Sequence, residues 1–192
     1  KCNIDLLSAS GHKIHGPRGI GIAYVKKGLR PEPLIYGGGQ EKGFRSGTEN
    51  LAAVVGFAEA AEKVYKNRKE SFSKVTCVKN YFIEKLKAIS NIKINSAGND
   101  YSPYVLSVSF IGVRGEVLLH LLEEKGIYVS TGSACSAKNN EDSHVLKALG
   151  LKKEETKGTI RFSFDEDNSK EEVDYTLNVL DESLKFLRSV GR

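Results

Sequence analysis

Lys13 lies in Ser10-Gly-His-Lys-Ile-His-Gly-Pro-Arg-Gly19, between two histidines and beside glycines, just after a short apolar run. Strand ends of this kind are where α/β proteins place functional groups. A lysine there can attack a carbonyl carbon once its surroundings lower its pKa. Ser10 and His12 offer a hydroxyl and an imidazole suited to a phosphate. A second candidate is Cys135, in Ser130-Thr-Gly-Ser-Ala-Cys-Ser-Ala-Lys-Asn-Asn140. Such small, polar neighbours suit an exposed thiol on a mobile loop, and the thiolate is the nucleophilic form, so Lys138 or a bound cation nearby would matter. Arg161 is a third, because its planar guanidinium on a strand can clamp a carboxylate bidentately. The glycine-rich run Gly37-Gly-Gly-Gln-Glu-Lys-Gly-Phe-Arg-Ser-Gly-Thr48 adds phosphate-compatible donors at Arg45, Ser46 and Thr48, but it does not match the Walker pattern. Each motif taken singly also fits a turn, a surface thiol or a surface ion pair.

The elements that must position these groups can be read from periodicity. Residues 4–8 and 20–25 read as short buried strands flanking the Lys13 segment. A helix is expected from Leu51 to about Tyr65, with Leu51, Val54, Val55 and Ala58 on one face. From Lys66 to Lys93 the charge turns basic, while Phe72, Val75, Val78, Phe82, Leu86 and Ile89 recur every three or four residues, an amphipathic helix with a basic wet face. This shift suggests a domain change near residue 66. Strands follow at Ile92–Ile94 and from Tyr104 to Phe110, the latter with Leu106, Val108 and Phe110 on one side and Ser107 and Ser109 on the other. A helix from Glu116 to Lys125 is stopped by Gly126, and His120 among its leucines reads as a packing histidine. Residues 127–129 read as a short strand, 131–143 as a loop, and 145–149 as a short helix. Alternation returns over 158–164, with Ile160, Phe162 and Phe164 opposite Arg161. Ser169-x-x-Glu172 is a capping box opening a last helix with Val173, Leu177, Leu180, Leu184 and Leu187 on one face.

The chain has 192 residues and a formal charge of +5, is 40% hydrophobic, and has only 4 prolines, a globular composition that excludes disordered and collagen-like chains. No apolar run approaches the roughly 18 residues of a membrane span. Cys2, Cys77 and Cys135 are too widely spaced for a disulfide framework or a zinc knuckle, which favours a reducing, cytoplasmic setting; Cys2 and Cys77 read as structural or incidental. No spacing of His, Cys, Asp and Glu makes a metal site. There is no Met, and the chain opens directly on the Ile4–Leu7 run, which suggests a fragment.

Together, in this order and at these spacings, Asp5 to Gly21, Gly37 to Asn50, Gly132-Ser-Ala-Cys-Ser and Thr159-Ile-Arg-Phe-Ser163 resemble the C-terminal half of a cysteine desulfurase. These enzymes are the class V branch of fold-type I pyridoxal phosphate (PLP) enzymes. The resemblance implies an α/β fold: residues 1–50 as part of the large PLP-binding domain, 51–66 as a linking helix, and 67–192 as a small α+β domain. It implies that Lys13 carries PLP and shuttles protons, that Ser10 and His12 bind its phosphate, and that Thr48 reaches the phosphate of the neighbouring subunit of a homodimer. Arg161 would grip the carboxylate of L-cysteine, and Cys135 would take its sulfur as a persulfide, leaving alanine. The long polar loop around Cys135 is similar to the branch that hands sulfur to iron–sulfur scaffold proteins and tRNA-thiolating enzymes.

The family's stacking histidine, the aspartate at the pyridine nitrogen, and further cofactor contacts lie upstream of the lysine in the family. The 192 residues alone are therefore expected not to form a competent PLP site, with PLP absent from them. A selenocysteine lyase or a cysteine sulfinate desulfinase would share the carboxylate, amine and PLP contacts. From another class, a nucleic-acid-binding or docking module would use the basic helix, yet it leaves Arg161 and the glycine loop unexplained. No direct nucleic-acid partner and no membrane partner are expected.

Overall fold

In the computed structural model, residues 3–98, 100–131 and 143–190 are described. The chain divides into two compact units, Lys1–Lys69 and Glu70–Arg192. In the first, β1 (Leu6–Ser10) and β2 (Gly21–Val25) form an antiparallel ribbon in which Leu6 faces Val25 and Ser10 faces Gly21. The strands form as expected, but they are not buried: Leu6 is 59% exposed, Ile22 53% and Tyr24 48%. A two-stranded ribbon has no layer of its own to bury against, although its near-continuous apolar sequence is that of a strand covered on both faces. Among the described residues before Glu70, only Gly11, Ser46 and Ala53 are buried.

The helix expected to end near residue 65 does not stop there. α1 runs from Leu51 to Leu86 without interruption and joins the two sequence-level segments into one helix of 36 residues. Asn50 caps it, its Oδ1 accepting the Ala53 N–H at 3.1 Å. No Gly or Pro follows Gly56 to break it, and pairs such as Glu62–Lys66 and Glu70–Lys74 bridge successive turns. These pairs and Glu84–Lys87 occupy the basic wet face.

The second unit holds the core. Strands β3 (Ile92–Ile94), β4 (Val105–Phe110) and β5 (Thr159–Ser163) form an antiparallel sheet in the order β3-β4-β5. Its apolar face is Leu106, Val108, Phe110, Ile160 and Phe162, each at most 4% exposed. Against it pack the second half of α1 through Val78, Phe82 and Leu86, α2 (Gly115–Glu123) through Leu118 and Leu122, and α5 (Lys170–Val190) through Val173, Leu180 and Leu184. Phe82 stands edge-on to Phe162 and Phe164, with centroids 5.0 and 6.0 Å apart. The capping box opening α5 is present: the Ser169 hydroxyl accepts the Glu172 N–H, and the Glu172 carboxylate accepts the Ser169 N–H. Gly126 follows α2 with φ 75°, the left-handed conformation its position demands.

Other expectations change. Residues 127–129 do not form a strand; the segment touches β5 through the single bridge Ser130–Arg161. His120 is exposed beside Glu123 rather than packed among the leucines, because α2 buries the Leu118–Leu122 stripe instead. Two short helices, α3 (His144–Ala148) and α4 (Lys153–Lys157), precede β5, the second unmarked by any apolar period in its Lys-Glu-Glu-Thr-Lys sequence.

Lys79 on α1 is 3% exposed, with its ammonium donating to the Ser102 carbonyl at 2.8 Å, and burial lowers its pKa below the ordinary lysine value. Between the lowered and the ordinary value the unfolded chain holds the proton more often than the folded one, so stability rises with pH there. Urea melts over that window should move the balance between this chain and Lys79→Met in favour of the unmutated chain as pH increases. In the same assay Phe82→Ala should cost about 3–5 kcal/mol, and Leu51→Ala, at a 72% exposed position, less than about 0.5 kcal/mol.

Candidate functional site

The Lys13 segment is a tight bend. Ser10 ends β1, and Gly11–Ile14 form one 3₁₀ turn. Gly11 donates to the Ile20 carbonyl at 2.9 Å and accepts from the Gly16 N–H at 3.0 Å, so both ends of the bend close on one residue. A Cβ at Gly11 would stand 2.8 Å from Ile20 Cγ2 and 3.2 Å from two carbonyl oxygens, which explains the glycine. The bend presents Ser10, His12 and Lys13 to solvent, and none of their side chains has a hydrogen-bond or ion-pair partner among the described residues. Three uncommitted donors within four residues therefore face outward.

The glycine-rich loop is held by its own bonds. The buried Ser46 hydroxyl donates to the Gly38 carbonyl at 2.9 Å, and the Gln40 side-chain oxygen accepts the Gly47 N–H at 3.3 Å. Glu41 and Lys42 both take left-handed conformations, with φ 49° and 57°, sparsely populated for side chains of this kind. Thr48 is exposed at the end of this loop.

Arg161 lies in the second unit, at the middle of β5. Alternation places it opposite Ile160 and Phe162, as its sequence implies, on the polar face of the sheet. Its backbone is paired on both sides, with Ser107 of β4 and through 2.7 and 3.2 Å bonds with Ser130. Its half-buried guanidinium makes no ion pair among the described residues, and its Nε is enclosed without an acceptor. A desolvated cation without a counter-ion suits an external anion. Cys135 lies outside the described residues.

The sheet also shows polar groups that the sequence reading does not assign. Asn95, Ser109 and Thr159 are buried on the Arg161 face and hydrogen-bonded to one another. Ser109 is visible as the polar member of an alternating strand, whereas Asn95 sits just past a three-residue strand with too little alternation to orient it. No group of three or more His, Cys, Asp or Glu side chains among the described residues could hold a metal ion. None of their helices is long and apolar enough to cross a membrane.

The profile of the aminotransferase class-V family matches residues 1–176. Cysteine desulfurase IscS of Dictyoglomus turgidum is 40% identical over 189 residues, covering 98% of this chain and 48% of the relative. IscS of Clostridium botulinum is 42% identical over 193 residues, again 98% of this chain and 48% of the relative. The solved structure of a NifS-like protein superposes with TM-score 0.85 at 40% identity, covering 96% of this chain and 47% of the other. The chain thus spans about half the length of the curated relatives it matches. With the family profile extending from the Lys13 bend through the Arg161 strand into the last helix, the chain belongs to the aminotransferase class-V family.

Proposed function

We propose that this chain supplies the lysine, the arginine and the nucleophilic cysteine of a PLP-dependent cysteine desulfurase. The observation that carries the reading is the Lys13 bend, with an exposed amine beside two phosphate-type donors that have no partner among the described residues. The donor set fits PLP: a hydroxyl and an imidazole for its phosphate, and an amine for its aldehyde. When bound, PLP supplies the electron sink for bond changes at the amino acid's α-carbon. In this reading Ser10 and His12 orient the phosphate, Lys13 holds the cofactor and moves protons at its Nζ, and Thr48 reaches the phosphate of a partner subunit in a homodimer. Arg161 fixes the L-cysteine carboxylate, its charge free of any partner in the described structure. The Cys135 thiolate attacks the substrate sulfur; the Cβ–S bond breaks, an S–S bond forms on Cys135, and the carbon skeleton leaves as alanine. An acceptor protein, an iron–sulfur scaffold or a tRNA-thiolating enzyme, would then take the sulfur in the cytoplasm.

The proposed domain division follows the same reading: residues 1–50 belong to a large PLP-binding domain, 51–66 to a link that is continuous with the rest of α1, and 67–192 to a small domain. Residues 1–192 alone are proposed to be inactive, supported by the uncovered apolar side chains of β1 and β2.

The whole protein, incubated with PLP and L-cysteine without reductant, should release alanine, and the Cys135 peptide should gain the mass of one sulfur. Alanine without that gain would point to a lyase that bypasses the thiol, and no alanine would overturn the reading. Lys13→Ala should lower kcat by roughly 10²–10⁴-fold, the range for loss of a positioned acid–base group, and residues 1–192 by themselves should release no alanine.

A further inference from the structure

Four residues stand in one row across the polar face of the second unit's sheet. Asn95 pairs with Ser107 through a 2.8 Å backbone bond, Ser107 faces Arg161 in the β4–β5 register, and Arg161 is bridged to Ser130. Directly opposed residues on adjacent antiparallel strands put their side chains on the same face, with Cβ atoms about 4.5–5.5 Å apart. The Ser107 hydroxyl therefore stands beside the Arg161 side chain.

The direction of the hydrogen bonds around Ser107 follows from the number of protons available. Thr159 has one hydroxyl proton, and it goes to the Glu155 carbonyl at 2.7 Å. In the 2.8 Å contact between Thr159 and Ser109, Ser109 is consequently the donor. Its only proton spent, Ser109 accepts from the Asn95 amide nitrogen at 2.9 Å. Turning the amide over would set two oxygens against each other with no proton between them, so the Asn95 orientation is fixed by the hydroxyl chain. The same nitrogen gives its second proton to Ser107 Oγ at 3.2 Å. Ser107 is thereby an acceptor toward Asn95, and its own proton is directed elsewhere, with no acceptor among the described residues. Arg161 Nε is likewise a donor without an acceptor. Both residues are half-buried, so the unmade bonds are costly and the groups remain within reach of a ligand.

We infer that Ser107 is a second binding residue for the substrate carboxylate: its hydroxyl, oriented by Asn95, donates to the anion that Arg161 holds. Asn95 is the positioning residue, acting through Ser107. The inference rests on the desulfurase reading above and adds a residue and a hydrogen-bond direction to it. No covalent step is involved, and the effect is confined to ligands that carry the carboxylate.

The test is steady-state kinetics on the PLP-loaded whole protein, with L-cysteine as substrate and cysteamine, which lacks the carboxylate, as competing ligand. Ser107→Ala should raise KM for L-cysteine about tenfold with little change in kcat, the size expected for loss of one hydrogen bond to a charged group. The inhibition constant of cysteamine should not move. Ser107→Thr keeps the hydroxyl and should restore KM. Should Ser107→Ala not fold, Ser107→Cys, a similar volume with a weak donor, should give the same rise in KM. An unchanged KM, or equal weakening of L-cysteine and cysteamine, would overturn the inference while leaving the desulfurase reading intact. An unmutated protein that forms no alanine from L-cysteine would overturn both.

Discussion

The period-two alternation of β4 and β5 is the constraint on which the second unit depends. Leu106, Val108, Phe110, Ile160 and Phe162 face a core from which water is excluded, while Ser107, Ser109, Thr159 and Arg161 face the other way. A slip of one residue would turn Arg161 in among the phenylalanines and carry Phe162 to the polar face. An unpaired guanidinium in that core would be far more costly than any pairwise gain. The register is accordingly fixed several times over, by the Gly158–Phe110 backbone bond, by the Ser130–Arg161 bridge, and by hydroxyl bonds from Asn95 through Ser109 to Thr159. Placement of Arg161 on the polar face is thus a by-product of burying five apolar side chains.

The two units differ in how they use apolar residues. In the second, the stripe Val75, Val78, Phe82 and Leu86 on α1 is buried, and it supplies the layer that covers the sheet. In the first, Leu51, Val54, Val55, Val64 and Tyr65 of the same helix are exposed, as are Leu6, Ile22 and Tyr24 of the ribbon. Helix formation over the first half of α1 is thus supported mainly by its Asn50 cap, its propensity and its pairs across turns, each worth only tenths of a kcal/mol to about 1 kcal/mol. The Lys13 bend has a sturdier local basis, because its backbone closes on Gly11 from two directions whether or not its flanking strands are covered.

Legibility in the sequence follows the length and regularity of each pattern. The alternation from Leu106 to Phe110 and the three- and four-residue spacing from Val173 to Leu184 each identify both an element and its buried face. Ser169 and Glu172 mark a helix start to the residue because capping is a local interaction. The short run at 127–129 carries a strand's composition without a strand to pair with among the described residues, where only Ser130 joins β5. The first helix outruns its expected end because a change in surface charge at Lys66 resembles a boundary, although surface charge has little bearing on whether a backbone stays helical. His120 departs from expectation for a related reason: apolar neighbours in sequence are not neighbours in space on a helix, where only positions three and four apart share a face. The roles proposed for Lys13, Cys135 and Arg161 come from motif resemblance, since no residue periodicity encodes a cofactor.

Around Arg161 the structure departs from the rule that buried polar groups are paired. Arg161 Nε and Asn95 Oδ1 are both enclosed without partners, although the hydroxyls between them are bonded in a single direction. Each such group costs free energy that a fold selected for stability alone would recover with an apolar side chain or a counter-ion. A cation kept free of partners in a half-buried position makes sense if an anion completes it, because the desolvation already incurred by the protein is then not charged again to binding. The cost in stability and the proposed capacity to bind a carboxylate would, at this row of side chains, be the same physical fact.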